Sequence, residues 1–300
     1  MFLNKNKSKH ENKGKQGSTK STNKGRAINI ALLIVIFSIL GFCGYNINKE
    51  FSKYWNAYEK SIETKNEASR EEKSVDWNKL KSTNPDTIGW IYCENTIIDY
   101  PIVKSKNNSE YLTRGFDGSF NYSGTLFADN TTINPFNDFN TTVYGHHMRD
   151  GSMFAVLDNW LQQDYFDKHP YIYIYTPEQN YKIKVLYASH VKATNHDIYK
   201  LPIETPAEKE KFLSAVKSSA IIGNKNEDLS TSSNYVTLST CAYVYQDART
   251  IVVGKIIPVN KPVYEIEKHK DIKKDSKFKV FRKMMKEIFK EQWNDIKNKF

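Results

Sequence analysis

The sequence predicts a mostly β protein, a closed or nearly closed barrel of seven or eight short strands carried behind an N-terminal apolar helix. Two observations predict the barrel. Runs rich in Val, Ile, Tyr, Phe and Thr recur between Trp90 and Ile257, separated by turn residues, and the helical segments among them are too sparse for a regular βαβ sheet. A third observation predicts the helix: 19 uncharged residues follow a strongly basic tail. The 300 residues allow one substantial domain with appendages, and an aromatic content of 13% argues for a packed core.

The elements follow in order. Residues 1–26 hold Lys5, Lys7, Lys9, Lys13, Lys15, Lys20, Lys24 and Arg26 against Glu11 alone, among Asn, Ser, Thr and Gly, so a disordered tail is expected. Residues 27–45, AINIALLIVIFSILGFCGY, match the length needed to cross a hydrocarbon core of roughly 30 Å. The basic flank predicts that the tail stays cytoplasmic and that everything after Tyr45 lies outside. A cleaved signal peptide shares this layout, but the apolar run is longer than such a segment needs and bulky Phe42 stands where a small cleavage-site residue is wanted.

Residues 46–75 predict an extracytoplasmic helical stalk or appendage, with Phe51, Tyr54, Trp55, Tyr58 and Ile62 on one face. The barrel is expected over residues 76–259. Trp90 to Val103 reads as two strands with a turn near Glu94 and Asn95, and strands follow near Leu126 and over residues 140–144. Residues 153–161 predict a short helix, residues 171–175 and 181–189 a hairpin, and residues 205–219 a helix on a long excursion. Residues 235–240 and 250–257 supply the last strands. Residues 260–300 read as a basic amphipathic helical extension, with Phe278, Phe281, Met285, Ile288, Phe289, Ile296 and Phe300 in a stripe. Such a helix either touches anionic lipid or wall polymer or packs on the domain.

Charge is informative only when divided. The formal net charge of +10 comes from the two ends, leaving residues 46–260 slightly acidic, which excludes a basic nucleic-acid-binding body. Of the three cysteines, Cys43 falls in the apolar run and Cys93 sits in GWIYCENTIIDYPIV as a small buried hydrophobe. There is no Cys-x-x-Cys and no Cys/His spacing suited to zinc, so neither metal nor cofactor is expected.

Cys241 closes the run YVTLSTC at a strand's end, where a sulfur held by the sheet can face a groove. Arg249 follows eight residues later, before the next strand, and His146 ends an earlier one. Together they offer a nucleophile, a permanent cation and a proton carrier, although the spacing alone does not bring them together.

TLSTC followed by AYVYQDARTIVVGKI resembles the active-site strand pair of the sortases, cysteine transpeptidases of Gram-positive cell surfaces. VYGHHMRDGSMF and GWIYCENTIIDYPIV resemble the class B members in particular, over roughly residues 76–259. The resemblance implies an eight-stranded barrel with N-terminal helices and a helix in the loop before the cysteine strand. It implies Cys241 as nucleophile, with His146 and Arg249 as catalytic partners and Tyr144, Ser239 and Thr240 orienting the substrate. His147 is expected to line the groove or the surface, and Asp247 to pair locally with Arg249.

The family reaction cleaves a secreted protein's LPXTG-like or NPXTN-like sorting signal after Thr and passes it to an amine of peptidoglycan precursor or pilin. Two other readings stay open: a hydrolytic cysteine peptidase using the same site, and a membrane-tethered binding module without chemistry.

Overall fold

The computed structural model describes residues 20–68, 75–224, 227, 229–242, 244–259, 279–282 and 285–286. The chain forms two compact units, Met1–Glu50 and Phe51–Phe300. The expected basic tail is described only from Lys20 onward.

Helix α1 (Lys20–Ala68) begins in the first unit. No proline interrupts it, and Gly41 and Gly44 have open space around them; residues 69–74 of the expected 46–75 appendage lie outside the described residues. Ile30–Lys60 contains a window of mean hydropathy 2.3, none of it buried, long and apolar enough to cross a membrane. Phe37 and Phe42 are each 68% exposed, an arrangement that favours lipid over water. Ser38 donates its hydroxyl to the Ile34 carbonyl of its own helix at 2.8 Å.

The second unit holds the barrel. Helix α2 (Trp77–Thr83), capped by the Asp76 side chain on Lys79 N, leads into strands β1 (Thr87–Tyr92) and β2 (Asp99–Val103). After β3 (Leu126–Ala128) and β4 (Asn140–Tyr144), a 3-10 helix (Phe154–Leu161) and α3 (Gln163–Lys168) precede β5 (Tyr171–Tyr175) and the long β6 (Asn180–Lys192). The excursion carries α4 (His196–Tyr199), α5 (Pro206–Ser219) and the two-residue β7 (Ile222–Gly223) before β8 (Tyr235–Cys241) and β9 (Ala248–Val259).

Eight strands close a ring in the order β5, β1, β2, β3, β4, β8, β9, β6, with β6 returning to β5 and β7 attached to β6 outside it. The β2–β3 and β4–β8 pairs are parallel and the others antiparallel, so the barrel is mixed. Alternation along the strands fills the interior with Ile91, Ile102, Leu126, Val143, Ile172, Ile174, Ile183, Val236, Leu238 and Val252. Cys93 joins this core at 1% exposure, and burial pushes its thiol up to about 12, leaving it an inert packing group.

Residues 154–161 are a 3-10 rather than an α-helix. Phe154, Leu157 and Trp160, fully buried against the barrel, repeat every three residues, the period of a 3-10 helix. On the outer surface α4 and α5 cover β6, β8 and β9 through Ile198, Phe212, Val216, Tyr235, Ile251 and Val253. A capping box between Thr205 and Glu208, with Pro206 just inside, starts α5. Of the predicted C-terminal extension only residues 279–282 and 285–286 are described. They are helical, and Phe281 meets Phe51 edge to face at 5.1 Å.

Candidate active site

Strand β8 ends at Cys241, whose antiparallel partner is Arg249 at the start of β9. The connecting loop closes with Ala242 N bonded to Ala248 O at 2.9 Å. On the other side of β8, β4 runs parallel, with Tyr144 beside Ser239 and Gly145 N extending the ladder to Ser239 O at 3.1 Å. His146 is the next residue, level with the end of β8. The fold thus gathers Cys241, Arg249 and His146 at the ends of three neighbouring strands. All three are partly exposed.

Val236 and Leu238 face the barrel interior, so Ser239 and Cys241 face outward on the alternate positions, toward the helical excursion. There Tyr199 of α4 bonds Ser239 Oγ at 2.8 Å and stacks on Tyr144 with ring centroids 6.4 Å apart. Tyr144 in turn donates to Asp129 Oδ2 at 3.0 Å. Burial pushes the Tyr199 phenol up to about 12. Its bond to Ser239 and the Arg249 cation pull the other way, while Cys241 pushes it higher. The Tyr144 phenol is also raised, by burial and then by Asp129, with Arg249 opposing. Both tyrosines therefore stay neutral, Tyr144 donating to Asp129, and the field of Arg249 reaches them both.

His146 places Nε2 at 2.7 Å from the carbonyl oxygen of Leu112. A carbonyl only accepts, so Nε2 carries the hydrogen and Nδ1 holds the ring's exchangeable position. The Leu112 carbonyl is presented by a tight loop. Gly124, at φ +60°, lies so close to it that a Cβ would fall 2.8 Å from Leu112 O, and Thr125 N bonds Tyr111 O at 3.0 Å. Arg249 donates from Nη1 to Ala248 O at 3.1 Å.

The other sequence-predicted residues divide. Tyr144 and Ser239 share the outward face with Cys241. Thr240 does not: it occupies an interior position, 2% exposed, and its Oγ1 has no hydrogen-bond partner among the described residues. His147, half-buried, sets Nε2 2.9 Å from Asp158 Oδ2. Among the described residues Asp247 makes no ion pair with Arg249. Its backbone is left-handed at φ +58° and its carbonyl accepts from Ala193 N at 2.8 Å. Tyr199, Asp129, Asp158 and the Leu112 carbonyl were not anticipated.

The family model "Sortase domain" matches residues 91–257. The sortase B of Listeria monocytogenes is 31% identical over 241 residues, covering 76% of this chain and 96% of that protein. With an open barrel end holding a cysteine, a histidine and an arginine, these matches define the class: the chain belongs to the sortase family and is a cysteine transpeptidase.

Its subtype is class B. The crystal structure of Clostridium perfringens sortase B matches with a TM-score of 0.56 at 31% identity, covering 60% of this chain and 98% of that one. A Staphylococcus aureus sortase B–substrate complex matches with a TM-score of 0.57 at 27% identity, covering 71% and 97%. A Streptococcus pyogenes class B sortase involved in pilus biogenesis matches with a TM-score of 0.53 at 30% identity, covering 61% and 98%. Membership of an enzyme family sets aside the noncatalytic binding module.

Proposed function

We propose that Cys241 is the nucleophile of a transpeptidation that cleaves a C-terminal sorting signal, LPXTG-like or NPXTN-like, after its Thr. The observation that carries this reading is the register: Cys241 and Arg249 are cross-strand partners at the open end of β8 and β9, and His146 ends the parallel neighbour β4.

The thiolate attacks the Thr carbonyl carbon, and the oxyanion that forms is stabilised by the Arg249 guanidinium. Collapse expels the amine, which leaves with a proton from His146, and the Thr acyl group remains as a thioester on Cys241. An acceptor amine then attacks the thioester and gives up a proton to His146. The thiol departs and a new amide stands. With Nε2–H engaged by Leu112, the exchange runs through Nδ1. Tyr144 and Ser239, tied together through Tyr199, line the cleft and orient the peptide. The acceptor is a peptidoglycan-precursor amine or a pilin lysine.

The basic residues before the apolar helix support a cytoplasmic N-terminus and an external site, on a single-pass anchor at residues 27–45. Residues 46–75 then serve as the appendage, 76–259 as the catalytic domain and 260–300 as an extension.

The test incubates the protein with a panel of sorting peptides and candidate amines and reads products by mass. An amine adduct that disappears in Cys241→Ala is expected. Free Thr carboxylate as the sole product under saturating amine would instead make this a hydrolytic peptidase. Turnover persisting in Cys241→Ala would reject the mechanism.

A further inference from the structure

One partly exposed carboxylate joins the segment that follows β4 to the start of β9, beside the proposed catalytic residues. Asp158, in the 3-10 helix, holds His147 Nε2 at 2.9 Å on one oxygen and Thr250 Oγ1 at 2.6 Å on the other. Thr250 Oγ1 also lies 3.2 Å from His190 Nδ1 of β6. The proton directions follow from the groups. A carboxylate accepts only, so His147 Nε2–H and the Thr250 hydroxyl both donate to it, and the Thr250 oxygen accepts from His190 Nδ1–H. Burial would push the Asp158 carboxyl up, but the bonds from His147 and Thr250 outweigh it and hold it below the usual range.

The place of this chain in the fold gives it meaning. His147 adjoins His146, and both are tied to the start of the same 3-10 segment, through Phe154 N to His146 O at 3.0 Å and a bridge between His147 and Met153. Thr250 adjoins Arg249, and its cross-strand partner Thr240 adjoins Cys241. Thr250, Thr240 and His190 take interior positions, while Cys241 and Arg249 take the alternate, outward ones. Thr250 and His190 therefore lie on the opposite face of the sheet from Cys241 and Arg249.

We propose that Asp158 is a positioning residue that pins the end of β4 to the start of β9 through His147 and Thr250. It thereby sets His146 and Arg249 relative to Cys241. This inference rests on the proposed roles of those three residues. The Asp158 carboxylate takes one bond from each side of this junction, and displacements of about 1 Å at reacting groups cost on the order of a hundredfold in rate.

The test measures kcat and KM on the full chain with its sorting peptide and amine, alongside thermal melts. Asp158→Ala and Thr250→Val are expected to lower kcat by about tenfold or more with the peptide KM changed by no more than about twofold. Val fills the volume of Thr, so Thr250→Ser, which keeps the hydroxyl but loses a methyl, separates the bond from packing and is expected to recover most of kcat. The Asp158→Ala/Thr250→Val double variant is expected to match Asp158→Ala alone. The pin is overturned by wild-type kcat in a folded Asp158→Ala or Thr250→Val, by losses that fall on KM, by a Ser variant no better than Val, or by additive losses. The reading of the site fails on a different variant, an active Cys241→Ala, so the two failures are distinguishable.

Discussion

Between Tyr144 and His146 the chain passes Gly145, where an added Cβ would come within 2.7 Å of Phe154 Cδ2 and would also meet the Leu126 side chain. Both neighbours are fully buried, so they have little room to give. Gly145→Ala is expected to cost about 1–3 kcal/mol in a denaturant melt, with a loss of kcat because the shift falls on the His146 backbone. An unchanged melt and kcat would show that the wall yields. At this scale the sequence was uneven. Cys241 and Arg249 were legible because a tight connection between strands returns the chain to the same rim. The hydrogen bond on His146 was not, because its partner is a backbone carbonyl, which carries no side-chain signature. Asp158 was illegible for another reason: its partner Thr250 lies 92 residues away, and a lone acid in a short apolar helix looks like the wet face of that helix.

Among elements, α5 decides whether Tyr199 is held over the cleft, since α4 and α5 share one apolar cluster. Its start rests on Thr205, whose side chain takes Glu208 N, while Glu208 returns to Thr205 N at 3.0 Å and receives Lys200. Thr205→Ala is expected to remove about 1 kcal/mol, read by denaturant unfolding, and to raise the peptide KM. The Glu208 carboxyl is held down at about 2, first by Lys200 and then by the Thr205 and Glu204 amides. A depressed carboxyl stabilises the fold above its unfolded pKa of about 4.3, and that contribution is lost as pH falls through about 2. Glu208→Gln should therefore flatten the acid limb of the melt. An acid limb equal to the wild type's would place the acid sensitivity elsewhere. Strand existence was well predicted because alternation and turn residues are local signals, and β4 was predicted at its observed bounds. The 3-10 character of residues 154–161 was missed because spacings of three fit one face of either helix over so short a run.

For the whole molecule, the unit boundary at Phe51 separates an apolar helix with water-facing Leu, Ile and Phe side chains from a unit with its own core. The full chain is expected to enter the detergent phase on cloud-point separation. A chain beginning at Phe51 should stay in the aqueous phase with the same β-rich circular dichroism, whereas aggregation of that shorter chain would mean that the apolar helix also shields the barrel. The ring order was beyond sequence reasoning, because strands 5 and 1, or 4 and 8, become neighbours only through closure. That order also governs assembly. The β5–β6 and β8–β9 pairs join strands that are close in sequence, but β8 must slot in parallel to β4, and its Thr237 hydroxyl reaches Asn140 across 97 residues. Non-local pairing carries the full entropy of loop closure before any contact rewards it, so this seam is expected to form after the two hairpins. The two partners proposed for the Cys241 thiol therefore reach it by different routes: Arg249 through a local hairpin, His146 only through the pairing of β4 with β8.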